Sequence, residues 1–88
     1  MKVTWAPLAI ERAYEDKPEA ALKWLEGLFK VTDRLERFPK SGRIVPEISS
    51  EEFREVIYRS HRIIYRIEKR SVAILTVRSS SQPLDPAA

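Results

Sequence analysis

The residues of this 88-residue chain best equipped for chemistry gather between Phe53 and Arg78. Seven basic side chains stand there, Arg54, Arg59, Arg62, Arg66, Lys69, Arg70 and Arg78, against two acidic ones, Glu55 and Glu68. The rest of the chain holds nine basic and eleven acidic residues, so the formal net charge of +3 originates in that one segment. Six of its seven cations are arginine, whose planar, weakly hydrated fork suits phosphates and carboxylates. A clustered basic face is the electrostatic footprint of an anionic partner, and a solvated face that keeps a protein soluble is the plainer alternative. The absence of Cys excludes a disulfide framework, a thiolate metal site and a cysteine nucleophile. His61 is the single histidine, too few for a histidine-based zinc site. No metal and no cofactor is expected.

These side chains need elements to position them, and the length allows one domain. Lys2 to Trp5 reads as a short strand. Pro7 suits the first turn of a helix, and Leu8, Ile10, Ala13 and Tyr14 give it an apolar side. After the polar break Glu15-Asp16-Lys17, Pro18 opens the strongest helical pattern in the chain. Ala21, Leu22, Trp24, Leu25, Leu28, Phe29, Val31, Leu35 and Phe38 recur there at three- and four-residue steps. Trp24 and Phe29 read as core anchors. Pro39 and Gly42 stop the helix, and the short break before it predicts an antiparallel helical hairpin. Beyond Gly42 the period changes. Three β-branched and aromatic runs, Phe53–Tyr58, 62–68 and 72–78, read as an antiparallel meander. The expected fold class is α+β: an edge strand, a two-helix hairpin and the meander on which it packs, over residues 1–78. The Ser/Pro-rich tail 79–88 is expected to be flexible.

Register decides what the arginines share. Three-residue loops at Arg59-Ser60-His61 and Lys69-Arg70-Ser71 carry parity through all three strands. Phe53, Glu55, Ile57, Ile63, Tyr65, Ile67, Ala73, Leu75 and Val77 would then face the helices. Arg54, Arg62, Arg66 and Arg78 would share the open face with Val56, Tyr58, Ile64 and Ile74. A two-residue loop at Arg59-Ser60 would put Arg62 and Arg66 on the face of Ile57, where unpaired charge is expensive. The three-residue loops are therefore expected, with Arg54, Tyr58, Arg62, Ile64, Arg66 and Arg78 forming a surface for a target or partner. Glu55 is expected to pair with Arg43 or Arg59.

In order and spacing, several short segments resemble the ParE/RelE superfamily of small bacterial toxins from type II toxin–antitoxin pairs. They are Trp5-Ala6-Pro7, Pro18-Glu19-Ala20-Ala21, Leu35-Glu36-Arg37-Phe38-Pro39 and Ser41-Gly42-Arg43-Ile44-Val45-Pro46-Glu47, then Phe53-Arg54-Glu55-Val56, Arg62-Ile63-Ile64-Tyr65-Arg66-Ile67 and Val72-Ala73-Ile74-Leu75-Thr76-Val77-Arg78. The resemblance runs from about Val3 to Val77 and implies two activities on one scaffold. RelE-like members cut messenger RNA on the ribosome, whereas ParE-like members poison DNA gyrase without cleavage chemistry of their own. Fold alone does not choose between them.

RNA cleavage through the 2′-hydroxyl needs a proton acceptor, a proton donor and cations on the scissile phosphate. Of the paired basic residues that RelE-like ribonucleases use, the first matches Arg54 and the second falls on Val56. The arginine of the next strand matches Arg62, and the terminal basic positions fall on Ser79, Ser80 and Ser81. For a nuclease the candidates are Arg54, Arg62, His61 and Tyr65, with Tyr58 and Glu55 as further proton-transfer groups. The structural alternatives are a hydrogen-bonded turn residue for His61 and a packed ring with a satisfied hydroxyl for Tyr65.

The resemblance therefore implies a ParE-like toxin, encoded in a growth-inhibiting or plasmid-stabilising pair, that binds DNA gyrase and is held by a cognate antitoxin in a hetero-oligomer. The alternatives are a ribosome-dependent endoribonuclease, an enzyme, and a small basic nucleic-acid-binding module, for which the sequence lacks an exposed stacking series. No apolar stretch approaches the ~20 residues of a membrane span. The N-terminus lacks the apolar segment of a signal peptide, so a cytoplasmic location and no membrane partner are expected.

Overall fold

Helix α1, Ala21–Asp33, forms where Trp24, Leu28 and Thr32 recur at four-residue steps and are buried, while Leu22, Lys23, Glu26 and Lys30 face solvent. The chain tightens into a 3₁₀ turn, Arg34–Glu36, whose Leu35 is fully buried, and Pro39 prevents further helix. Phe38, expected on the apolar stripe, is therefore carried off it and lies 62% exposed. Phe29 is also largely exposed, its ring edge-on to Trp5 at 5.7 Å between centroids.

The computed structural model describes residues 1–7, 9, 10 and 21–79. Pro7, Ala9 and Ile10 are helical; the remainder of the expected first helix, the start at Pro18 and the tail beyond Ser79 lie outside the described residues. The strands are β1 (Lys2–Trp5), β2 (Arg43–Ile44), β3 (Phe53–Tyr58), β4 (His61–Ile67) and β5 (Ser71–Ser79). They make one mixed sheet in the order β1-β5-β4-β3-β2. Strands β3, β4 and β5 run antiparallel in sequence, and β1 lies parallel to β5 at the far edge.

The register differs from the sequence expectation in three places. Tyr58 pairs directly with His61, so the β3–β4 loop is the two residues Arg59-Ser60. Arg59 takes the left-handed φ of 54° that tight hairpins require. Strand β3 is thereby turned over: Val56 and Tyr58 face the helix, and Phe53, Glu55 and Ile57 face away. The second departure is the β4–β5 turn: Ile67 pairs with Val72 and Glu68 N–H donates to Ser71 O, so the expected three-residue loop Lys69-Arg70-Ser71 is not made. The third is a bulge in β5, where Ile64 pairs with Thr76 but Tyr65 with Ile74, leaving Leu75 as the extra residue and restoring the expected register beyond it. Val72 and Ile74 therefore enter the core in place of Ala73 and Leu75. Strand β4 keeps the expected parity, with Ile63 and Tyr65 fully buried. The main core lies between α1 and this side of the sheet, around Trp24, Leu28, Leu35, Ile63, Tyr65 and Ile74.

Candidate functional site

The arginines expected on one open face are divided by this register. Arg54 pairs with Tyr65 and lies on the helix side with Tyr58; Arg62, Ile64, Arg66 and Arg78 lie on the other. The single arginine-lined surface is thus corrected, because a hairpin one residue shorter inverts β3.

Arg62 is also not available to an external anion. It is 6% exposed, and its guanidinium clasps Glu47 with two bonds of 2.8 Å, Nη1 to Oε2 and Nη2 to Oε1. On its other edge Nε and Nη2 donate to Glu55 Oε1 at 2.9 and 2.5 Å. Glu55, 1% exposed, accepts from Arg43 through its second oxygen at 2.6 Å. From sequence, this register is disfavoured because it sets Arg62 unpaired on the face of Ile57 beneath the helices; Arg62 does share that face, but β3 has turned over and the face is helix-free. Two carboxylates remove that objection, and hydrogen bonding to Glu47 holds the Arg62 pKa above the ordinary arginine value despite burial. Of the two partners expected for Glu55, Arg43 is present. Glu47 was missed as a ligand of Arg62, although it ends the Ser41–Glu47 motif; a segment so rich in cations needs counter-ions from elsewhere in the chain.

On the helix side, Arg54 and Tyr65 brace the chain around residues 39–42. Arg54 Nη1 donates to the carbonyls of Lys40 at 3.3 Å and Gly42 at 3.1 Å, and Nε to that of Glu51 at 3.0 Å. The Tyr65 hydroxyl donates to Pro39 O at 2.6 Å and accepts from Gly42 N–H at 3.0 Å. Burial raises its pKa above the ordinary tyrosine value. The hydroxyl is satisfied and enclosed, as the packing alternative required. Tyr58 is likewise structural: its hydroxyl donates to Trp24 O at 2.8 Å, beside Gly27, where a Cβ would collide with that hydroxyl.

His61 sits half-buried, edge-on to Trp24 at 5.1 Å, with Nδ1 buried and without a hydrogen-bond partner among the described residues. It is the first residue of β4 rather than a loop residue. It therefore points to the side opposite Arg62. The nuclease set Arg54, His61, Tyr65 and Arg62 does not converge on one point: three belong to the helix side, where two are tied to backbone, and one to the other side. Of the arginines expected on one open face, Arg66 and Arg78 are left on the helix-free side outside the carboxylate clasp. Arg66 stands 3.5 Å from Glu52 and 5.5 Å over the Phe53 ring, and Arg78 is half-buried. No group of three or more metal-ligating side chains occurs among the described residues.

A different basic cluster surrounds the exposed Phe38. Arg34, Arg37, Lys40 and Arg43 flank it, and beside it an open cavity of about 660 Å³ is lined by Val31, Arg34, Phe38, Ser41, Gly42, Arg43, Glu55, Val56 and Ile57.

The sequence model of the ParE toxin of the type II toxin–antitoxin system parDE matches residues 7–84. The chain belongs to the ParE toxin family. No curated protein is significantly similar to this ParE-family chain in sequence. Among solved structures it resembles the chromosomal ParDE system from P. aeruginosa, with a TM-score of 0.70 at 18% identity, over 90% of this chain and 95% of that one. It also resembles the YoeB/ParE toxin from Agrobacterium tumefaciens, with a TM-score of 0.67 at 16% identity over 90% and 98% of the two chains. The YoeB-YefM complex from Staphylococcus aureus gives 0.60 at 15% identity, over 89% and 94%. At these identities the likeness is one of fold. No helix among the described residues is long and apolar enough to cross a membrane.

Proposed function

We propose that this ParE-family chain arrests growth by binding its target rather than by cutting RNA, with DNA gyrase as that target and a cognate antitoxin as its neutraliser. The observation that carries the choice is the state of Arg62. Phosphate stabilisation needs a guanidinium free to meet the developing charge, and this one is closed on both edges by Glu47 and Glu55. The proton-transfer candidates support the same reading, since the Tyr65 hydroxyl is spent on Pro39 and Gly42 and His61 points away from Arg62. Arg66 and Arg78, on the helix-free side, are the members of the original set best placed to touch a target.

The test is a paired assay on purified protein. Gyrase supercoiling of relaxed plasmid is expected to fall as toxin is added, while messages on translating ribosomes stay intact. Cleaved message with unaffected supercoiling overturns the proposal and returns the chain to the endoribonuclease reading. The two readings also part at Arg62→Ala: a nuclease would lose cleavage and keep its stability, whereas the network described above predicts a strongly destabilised fold.

A further inference from the structure

Phe38 is the aromatic side chain that the fold leaves most open. Pro39 ends the helical pattern beside it, and the ring lies 62% exposed instead of joining the core. It forms a ridge between two cavities and lines both: one of about 660 Å³, shared with Arg34 and Arg43, and one of about 420 Å³, shared with Arg37 and Lys40. Cations therefore stand on both sides of an exposed ring. Arg34, Arg37 and Lys40 are themselves exposed and make no ion pair among the described residues. The Arg43 side chain is 64% exposed even while it meets Glu55. Asp33 and Glu36, the acidic residues of the same turn, line neither cavity. Cations near a helix C-terminus offset its dipole, which accounts for some of these charges and for none of the exposed aromatic surface.

An open aromatic ring flanked by cations matches the needs of a single nucleic-acid strand, whose bases stack on the ring while its phosphates meet the cations. We propose that the Phe38 ridge is a binding site for single-stranded DNA, with one base stacked on the ring and the backbone passing Arg34, Arg37, Lys40 and Arg43. Val31, Val56 and the half-exposed Ile57 give the larger cavity an apolar wall. Such a wall suits the methyl group that thymine carries and uracil lacks. Apart from the cations, the polar side chains on that wall are Ser41 and Glu55, and Glu55 is already held by Arg43 and Arg62. Little is left there to reward a ribose 2′-hydroxyl. A duplex keeps its bases stacked on one another and offers the ring no free face. A second copy of this chain is the poorer occupant, because a two-fold contact brings Arg34, Arg37 and Arg43 against their own equivalents. An acidic peptide would use the cations but has no need of the ring. Arg66 and Arg78 line neither cavity, so this site is separate from the surface assigned to the toxin's target.

Fluorescence anisotropy on the full chain tests the site with labelled oligothymidylate, oligodeoxyuridylate, oligouridylate and a DNA duplex of equal length. Oligothymidylate is expected to bind most tightly, about threefold or more ahead of oligodeoxyuridylate through its buried methyl group. Its log affinity should fall against log salt with a slope of about −2 to −3, as neutralising three or four phosphates of a single strand requires. Backbone-amide resonances of Arg34, Arg37, Phe38 and Arg43 should shift as it is added. Phe38→Ser and Phe38→Leu alter an exposed side chain; both should keep their circular dichroism and melting temperature while losing affinity about fivefold or more, and Phe38→Tyr should retain it. Arg37→Gln should flatten the salt slope by about 0.7. Equal or tighter binding of the duplex overturns the proposal, as do absence of binding at low salt, unimpaired binding by Phe38→Ser or Phe38→Leu, or shifts confined to the surroundings of Arg66 and Arg78. Equal affinity for oligodeoxyuridylate overturns the choice of thymine, and tighter binding of oligouridylate overturns DNA in favour of RNA. A peptide alternating leucine with glutamate that binds the same amides more tightly than oligothymidylate overturns the proposal in favour of a protein partner.

Discussion

Arg62 carries a charge it cannot shed, buried on the helix-free side of a small sheet. Taking such an ion out of water costs several kcal/mol unless geometry and hydrogen bonding compensate, and removing one partner of a buried pair costs about 3–5 kcal/mol. Arg62→Ala leaves Glu55, at 1% exposure, with Arg43 as its remaining partner. Its urea midpoint is expected to fall by the equivalent of about 3–5 kcal/mol, with the smaller loss of about 1–3 kcal/mol for Glu47→Gln, whose side chain reaches solvent. Tyr65 gives a pH test. Its pKa is raised in the folded protein by burial. The folded state thus holds the proton where the unfolded chain has lost it, so stability is complete below the ordinary tyrosine pKa of 10.0 and declines as pH rises beyond it. Tyr65→Phe should cost about 1–3 kcal/mol at neutral pH through the unpaired Gly42 N–H and Pro39 carbonyl. Melting curves at neutral and strongly alkaline pH check both statements, since the variant should lose part of the alkaline decline.

Two backbone devices decide which side chains each strand shows to the core. The Arg59-Ser60 hairpin places a non-glycine residue at φ 54°, a conformation that costs a side-chain-bearing residue roughly 1–2 kcal/mol. Arg59→Gly relieves that strain at some entropic cost and is expected to raise stability by up to about 1 kcal/mol, read as a rise in melting temperature. At Gly42 the need is closeness rather than handedness. A Cβ there would lie 2.5 Å from the Glu55 carbonyl oxygen and 2.6 Å from the Tyr65 hydroxyl. Backbone cannot yield as a side-chain tip does, so Gly42→Ala is expected to cost about 1–3 kcal/mol by overpacking and to loosen the segment Arg54 and Tyr65 brace, measured as faster amide exchange at residues 39–43. Strand positions were legible from composition and period: the run Phe53–Tyr58 coincides with β3, and the other two runs fall within one residue of β4 and β5. Facing was not, because alternation has period two, and a loop shortened by one residue or a bulge at Leu75 inverts everything up to the next irregularity. The charge penalty used to choose the register assumed Arg62 had no partner, and Glu47 lies in a segment whose path sequence period does not reveal.

The two edges of the sheet are closed unequally. At one, β1 pairs with β5 along its whole length, and the N-terminal ammonium donates to Glu36 O at 2.8 Å, tying the strand to the 3₁₀ turn. Removal of residues 1–5 is expected to expose the β5 edge and the core near Val72, giving a chain that aggregates or loses its cooperative thermal transition, as checked by calorimetry and light scattering. At the other edge two residues of β2 leave β3 open beyond Glu55, within a cluster of cations and exposed apolar groups. The basic character of the segment between Phe53 and Arg78 is meanwhile spread around the molecule: Arg54 on carbonyls, Arg59 5.5 Å over the Tyr58 ring, Arg62 in its carboxylate clasp and Arg66 beside Glu52.

From residue types and their spacing alone came the α+β class, the order of the elements described, the edge position of β1 and the likeness to ParE/RelE toxins, because hydrophobic period and turn chemistry act over a few neighbouring residues. Only the folded chain decided which arginines are spent and where an anionic partner would find open cations. Those outcomes depend on pairings across the sheet, such as Glu47 with Arg62 over fifteen residues of sequence, and the strength of a charge depends on what surrounds it in space.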